Sequence, residues 1–150
     1  MAKANESDAE HLRIERTLPA PRELVYRAFT EPSRMLRWFG PHGFEATTID
    51  LDLQEGGAWR GGMRGSDGKE LIASGVYRQI VPSELLVFTY AWEEEGVRGH
   101  ETLCRVELHE HGGQTRLVFT QGPFESAEAT RSHAGGWGEA LEKLESEVRK

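Results

Sequence analysis

HGGQTRLVFTQGPFESAEATRSHAGGWGEALEKLESEVRK, residues 111–150, changes its period in the middle. Before Pro123, the residues Thr115, Leu117, Phe119 and Gln121 fall on alternate positions, the spacing of one face of a β-strand. Beyond it, His133, Trp137, Leu141, Leu144 and Val148 recur three or four apart, while Glu139, Glu142, Lys143, Glu145 and Arg149 lie elsewhere, the pattern of an amphipathic helix. The helix is predicted over residues 125–149, about 36 Å long. Gly135-Gly136 interrupts it, and each glycine costs about 1 kcal/mol relative to alanine. The pair therefore predicts either a bend or something lying close against the helix backbone.

Upstream, the period of two continues back to Phe44. Six strands are expected: Glu45 to Leu53, Ala58 to Arg64, Leu71 to Val81, Leu85 to Glu93, Glu101 to His109 and Thr115 to Gln121. Turn chemistry separates them, with Asp67-Gly68 and Gly112-Gly113 as the clearest hairpin signals. The connection from Glu94 to His100 is longer, acidic and less definite. Before Phe44, His11 to Leu18 alternates Leu12, Ile14, Arg16 and Leu18 against polar neighbours, a seventh strand stopped by Pro19 and Pro21. Two short helices follow, one over residues 21–30 and one opened by Pro32 that carries Met35, Leu36, Trp38 and Phe39. Gly40-Pro41-His42-Gly43 ends the second. Residues 1–10 are small, polar and charged, and read as a flexible lead to a single domain over residues 11–150. The economical arrangement is α+β: one curved antiparallel sheet wrapped around the long C-terminal helix.

Composition narrows the function. The 150 residues carry 18 Lys and Arg against 25 Asp and Glu, a formal charge of −7 with no basic stripe, which argues against nucleic acid and anionic membranes as partners. No apolar run approaches the roughly 18 residues that cross a bilayer. Apolar residues make up 37%, and the 17 glycines bring the core-compatible share to an ordinary globular value. The single cysteine, Cys104, excludes an intramolecular disulfide and a multi-cysteine zinc site. With no apolar leader at the start, the expected compartment is the reduced cytoplasm.

The order of elements, together with five stretches of sequence, resembles the helix-grip superfamily called START-like or SRPBCC, which includes the birch-pollen allergen fold and the polyketide cyclases. Those stretches are PAPRELVYRAFTEPSRMLRWFGPHGF (residues 19–44), EGGAWR with MRGSDGKE (55–60 and 63–70), SGVYRQIVPSELLVFTYAW (74–92), HGGQTRLVFT (111–120) and GWGEALEKL (136–144). Within the superfamily the chain is most similar to the family named for homology to the activator of the heat-shock-protein-ninety ATPase. The resemblance implies a seven-stranded sheet gripping the last helix, with an internal cavity between them. Gly61 stands where relatives often carry a bulky apolar residue, which implies extra volume. Gln121 stands where many carry histidine, which puts any role tied to that imidazole in doubt here.

The expected cavity is lined by Trp38, Phe44, Trp59, Met63, Tyr77, Cys104, Phe119, Gln121, His133 and Trp137. Trp38, Phe39 and Phe44 flank the glycine-bounded loop at residues 40–43, which reads as a lid or as a seal on the core. Trp59 and Trp137 are the expected fluorescence reporters of binding. His133 reads either as a donor to a ligand oxygen or as a satisfied, partly buried histidine. His109-Glu110-His111 sits at a hairpin end and is better read as surface than as a metal site; Asp50, Asp52 and the run Glu93 to Glu95 read as solvated carboxylates. Cys104 reads as a small buried hydrophobe. No Walker loop, dinucleotide fingerprint, nucleophile elbow or HExxH is present, and no cofactor or metal is expected.

Three functions follow from these readings. The first is binding of a hydrophobic or aromatic small molecule in the sheet-helix cavity. The second is a cyclase- or hydrolase-like enzyme in which His133, Tyr77, Glu101 or Gln121 polarises a polyketide-like substrate. The third, implied by the family name alone, is docking on a chaperone. Monomer and homodimer both stay open.

Overall fold

The structure, a computed structural model, describes residues 10–149. The polar lead expected over residues 1–10 lies outside them except for Glu10. Strand β1 (Leu12–Leu18) precedes helices α1 (Arg22–Thr30) and α2 (Pro32–Met35). Strands β2 (Phe44–Leu51), β3 (Ala58–Gly65), β4 (Glu70–Val81) and β5 (Leu85–Glu94) follow. The two-residue β6 (Val97–Arg98), then β7 (Thr102–His111), β8 (Gln114–Gly122) and helix α3 (Ala127–Arg149) complete the chain. All pairings are antiparallel, in the order β2-β3-β4-β5-β7-β8-β1, with β6 on the end of β5. Seven strands thus curl as a half-barrel around the long helix, the expected helix-grip architecture.

The period-two faces fall as the sequence predicts. Thr102, Cys104, Val106 and Leu108 of β7 are buried, as are Thr115, Leu117, Phe119 and Gln121 of β8, while Leu103 between them is 45% exposed. The β7–β8 hairpin turns at Gly112 and Gly113, whose φ angles of 59° and 81° suit residues without a Cβ. β1 closes the sheet onto β8, from Leu12 opposite Gln121 to Leu18 opposite Thr115. The Thr115 hydroxyl then ties the end of β1 down by donating to the Ala20 carbonyl at 2.7 Å.

Three local outcomes differ from expectation. Helix α3 begins at Ala127 rather than residue 125, because the Ser126 hydroxyl accepts the Ala129 N–H at 3.0 Å and caps the first turn. Helix α2 ends at Met35 instead of running on through Phe39. The Met35 carbonyl accepts both the Trp38 and Phe39 N–H groups, which tightens the chain into turns. That swing buries Trp38 completely and brings its indole N–H to the Ala28 carbonyl at 2.9 Å. Third, the acidic connection after β5 is an ordered hairpin. Glu93 pairs with Arg98 and Glu94 with Val97, across a Glu95-Gly96 turn with both φ angles positive.

Helix α3 passes through Gly135-Gly136 without a break. The close approach expected at the pair is not found: a Cβ on Gly135 would meet nothing within 4 Å, and one on Gly136 would reach only the Cβ of Pro41 at 4.0 Å, so the glycines leave open space beside the helix. Leu141, Leu144 and Val148 from the C-terminal half of α3 join Trp137, Cys104, Val106, Leu117 and Phe119 in one buried cluster. Each fully buried leucine of this kind stabilises the fold by about 1.5–3 kcal/mol. Among the described residues no helix is long and apolar enough to cross a membrane.

Candidate functional site

Toward the N-terminal half of α3 the sheet and helix part, leaving a groove of about 730 Å³. This falls within the usual range of small-molecule sites, about 300–1,000 Å³. Its walls are Phe39, Met63, Leu71, Tyr90, Trp92 and Trp137, and its helix side is Ser132, His133, Gly136 and Ala140. The rings meet edge to face: Tyr90 and Trp92 at 5.6 Å and 90°, Tyr90 and Trp137 at 6.0 Å and 61°, Phe39 and Trp137 at 6.3 Å and 72°. Such contacts hold aromatic walls in place without filling the space between them. Beneath lies a separate void of about 20 Å³, the scale of one water, bordered by Trp59, Tyr77 and Phe88 among others.

His133 is held on both sides. Its Nδ1 lies 2.9 Å from the Ala129 carbonyl and its Nε2 accepts the Trp92 indole N–H at 2.9 Å. A carbonyl only accepts, so the ring proton sits on Nδ1 and neither nitrogen is spare. The ring also stacks on Phe124, with centroids 4.6 Å apart. This is the satisfied histidine of the two readings, and its product is a Trp92 fixed in one orientation. Burial pushes the Tyr90 and Tyr77 phenols and the Cys104 thiol well above their usual values, so all three stay neutral and protonated.

The rim is charged and pinned. The Arg60 guanidinium bonds Glu93 at 3.1 Å and holds its carboxyl below the usual range, helped by the Ser74 hydroxyl. Arg98 reaches from the hairpin to the Ser74 hydroxyl at 3.0 Å, the Ser74 carbonyl at 2.9 Å and Glu101 at 2.9 Å. Around the mouth Glu70, Glu93, Glu94 and Glu95 stand against Lys69 and Arg98. On the far side the loop after α2 is latched to α3, as the Glu139 carboxylate accepts the His42 backbone N–H at 3.0 Å and the His42 ring meets Glu142 at 3.4 Å.

Of the ten expected lining residues, Met63, His133 and Trp137 wall the groove, and Trp59 and Tyr77 border the small void. The other five lie outside both. Trp38, Cys104 and Phe119 are 0% exposed in the core, and Gln121 is 1% exposed, donating to the Thr102 hydroxyl at 2.9 Å. Phe44 packs against Gly40 and Gly65. The extra volume expected at Gly61 is not open: a Cβ there would lie 3.1 Å from Phe39 and 3.3 Å from Ile49, whose side chains occupy it.

The remaining candidates also separate. Glu101 is exposed and paired with Arg98, so it does not converge with His133, Tyr77 and Gln121. His109 pairs with Glu107 at 3.1 Å, and among the described residues no three His, Cys, Asp or Glu side chains form a metal-holding group.

Residues absent from the sequence reading are Tyr90, Trp92, Leu71 and the hairpin. Phe88, Tyr90 and Trp92 are spaced two apart on β5, and that alternation was the available signal for one inward aromatic row.

Solved structures share this architecture closely. A Chromobacterium violaceum protein superposes with a TM-score of 0.86 at 26% identity, covering 94% of this chain and 98% of that one. The AHSA1 protein of Silicibacter pomeroyi gives 0.84 at 27% identity over 93% and 97%. An uncharacterised Rhizobium leguminosarum protein gives 0.77 at 28% identity over 93% of each chain. No curated protein matches the sequence. The family model for Activator of Hsp90 ATPase homolog 1-like proteins matches residues 19–149, and the chain belongs to that family.

Proposed function

We propose that this protein binds a hydrophobic or aromatic small molecule in the groove between β3–β5 and the N-terminal half of α3. The observation that carries this reading is the 730 Å³ groove itself, walled by Phe39, Tyr90, Trp92 and Trp137 around a helix face reduced to Gly136 and Ala140. Side chains that could have closed it are spent elsewhere. Phe39 turns toward Gly61, and His133 is drawn back onto Ala129 and Trp92. An apolar ligand would displace water from aromatic walls at about 25 cal/mol per Å² of apolar surface covered.

The experiment is a thermal-shift screen of planar aromatic and alicyclic compounds, run in parallel on the native chain and on Gly136→Phe. Binders are expected to raise the melting temperature of the native chain and to leave that of the variant unmoved, because its added ring occupies the groove. No shift from any library member, or equal shifts in both proteins, would overturn the reading.

A further inference from the structure

Four tryptophans serve as an internal control on where hydrogen bonds are complete. Trp38 donates to the Ala28 carbonyl, Trp59 to the Thr89 carbonyl and Trp92 to His133 Nε2, each at 2.9 Å. The indole N–H of Trp137, on a residue only 7% exposed, has no acceptor among the described residues. Neither has the hydroxyl of Tyr90, which is 4% exposed. Both residues wall the groove, with ring centroids 6.0 Å apart. Among the described residues, the side-chain polar atoms that are both sealed and unpaired lie elsewhere, on Arg16, Arg22 and Gln121, so these two donors open onto the groove, where water meets them and the oxygen of a bound molecule can take its place.

We infer that the ligand of this groove carries an uncharged carbonyl oxygen on an aromatic ring system, and that this oxygen accepts from Trp137 Nε1 and Tyr90 Oη. The inference rests on the proposed ligand-binding reading and adds the chemistry that the ligand must have. An indole N–H can only donate, which requires an acceptor. A carbonyl oxygen has two lone pairs and brings no donor of its own. That matters because nearby acceptors are engaged: His133 Nε2 takes Trp92, and the Tyr90 backbone carbonyl takes the Thr102 hydroxyl at 3.1 Å. The Tyr90 phenol, kept protonated by burial, stays available as a donor. A carboxylate would also accept, but at the mouth Glu70, Glu93, Glu94 and Glu95 outnumber Lys69 and Arg98, a balance that disfavours an anion.

The test compares fluorene with 9-fluorenone, which differ in little but the carbonyl, and with fluorenone-2-carboxylate, by calorimetric titration of the full chain. The ketone is expected to bind about tenfold tighter than the hydrocarbon, the gain from one or two ordinary hydrogen bonds. The carboxylate is expected to bind more weakly than the ketone. Trp137→Phe and Tyr90→Phe, which keep a ring in place, are each expected to lower ketone affinity several-fold and to leave fluorene within about twofold. Because Trp137→Phe also touches the core, the Trp137 indole resonance of the unaltered chain gives a second readout. Its N–H proton should move further downfield with the ketone, as a hydrogen-bonded N–H does, than with fluorene, which offers it no acceptor. Equal affinity for the two compounds, an indole proton moved no further downfield by the ketone than by fluorene, or variants that retain the ketone preference would overturn the inference while leaving groove binding intact. Binding of neither compound would count against the groove reading as well.

Discussion

Cys104 and Trp92 lie on neighbouring strands, β7 and β5, under the same helix, yet Cys104 is sealed in the core and Trp92 walls an open groove. The sheet is continuous between them, with Cys104 flanked by Phe88 and Gln121, while α3 changes character along its length. Its C-terminal half supplies Leu141, Leu144 and Val148, all at or below 5% exposure. Its N-terminal half supplies Ser132, His133 and Gly136, which have little apolar bulk or are already bonded. Where the helix carries these leucines and valine it packs, and where it carries serine, a bonded histidine and glycine it borders the groove. Glycine widens the site here from the helix side. It does not do so from the sheet side, where Phe39 fills the room left by Gly61.

The sealed half gives the largest expected effect. Leu141→Ala, at 0% exposure, should cost about 3 kcal/mol, within the range for leucine truncation in a close-packed core. Chemical denaturation measures this, and the affinity of the folded fraction for a groove ligand should not change. A cost below about 1 kcal/mol would mean that the two halves are not packed differently. In the open half, His133→Leu should cost about 1–2 kcal/mol by stranding the Trp92 N–H. It should also weaken ligand binding as Trp92 loses its fixed orientation. Unchanged binding with altered Trp92 fluorescence would show that this indole wall is dispensable.

Smaller changes sharpen the contrast. Gly135→Ala places a methyl group in open space on a helix, and should raise stability by about 0.5–1 kcal/mol without touching affinity. A loss of stability in thermal denaturation would contradict the open-space reading. The rim supplies the pH prediction. Glu93 has its carboxyl value lowered, first by the hydrogen bond from Arg60, so it titrates lower folded than unfolded. Its contribution is therefore complete above about pH 4.3 and is lost as the pH falls through the folded value. With Arg60 half in solvent, the size is a few tenths of a kcal/mol. Glu93→Gln should flatten the acid-side slope of stability by that amount, and an unchanged slope between pH 5 and pH 3 would contradict the pairing.

Most of the fold was legible because period-two burial is a local property. Thr102, Cys104, Val106 and Leu108 could be placed on one face from spacing alone, and so could the apolar face of α3. The site was less so, because sharing a face does not say which end of that face the helix covers. Cys104, Phe119 and Gln121 point inward as expected but do not line the groove: Phe119 packs on Trp137 with ring centroids 4.3 Å apart, and Gln121 donates to the Thr102 hydroxyl. Trp38 and Trp137 look alike in sequence. They part because the turn after Met35 drives Trp38 into the core, a backbone choice that periodicity does not report. The Glu95-Gly96 hairpin was missed because glutamate at a left-handed position is a weak turn signal beside Asn-Gly or Asp-Gly.

The four indole N–H resonances offer the most direct test, since two report on each region. On titration with 9-fluorenone, followed by two-dimensional proton–nitrogen spectra, the Trp92 and Trp137 signals and the Gly136 amide should shift together and saturate. Trp38 and Trp59, whose N–H groups are bonded to Ala28 and Thr89, should stay in place. Shifts centred on Trp38 and Trp59, or a spectrum that does not respond, would contradict the claim that the groove is the binding site.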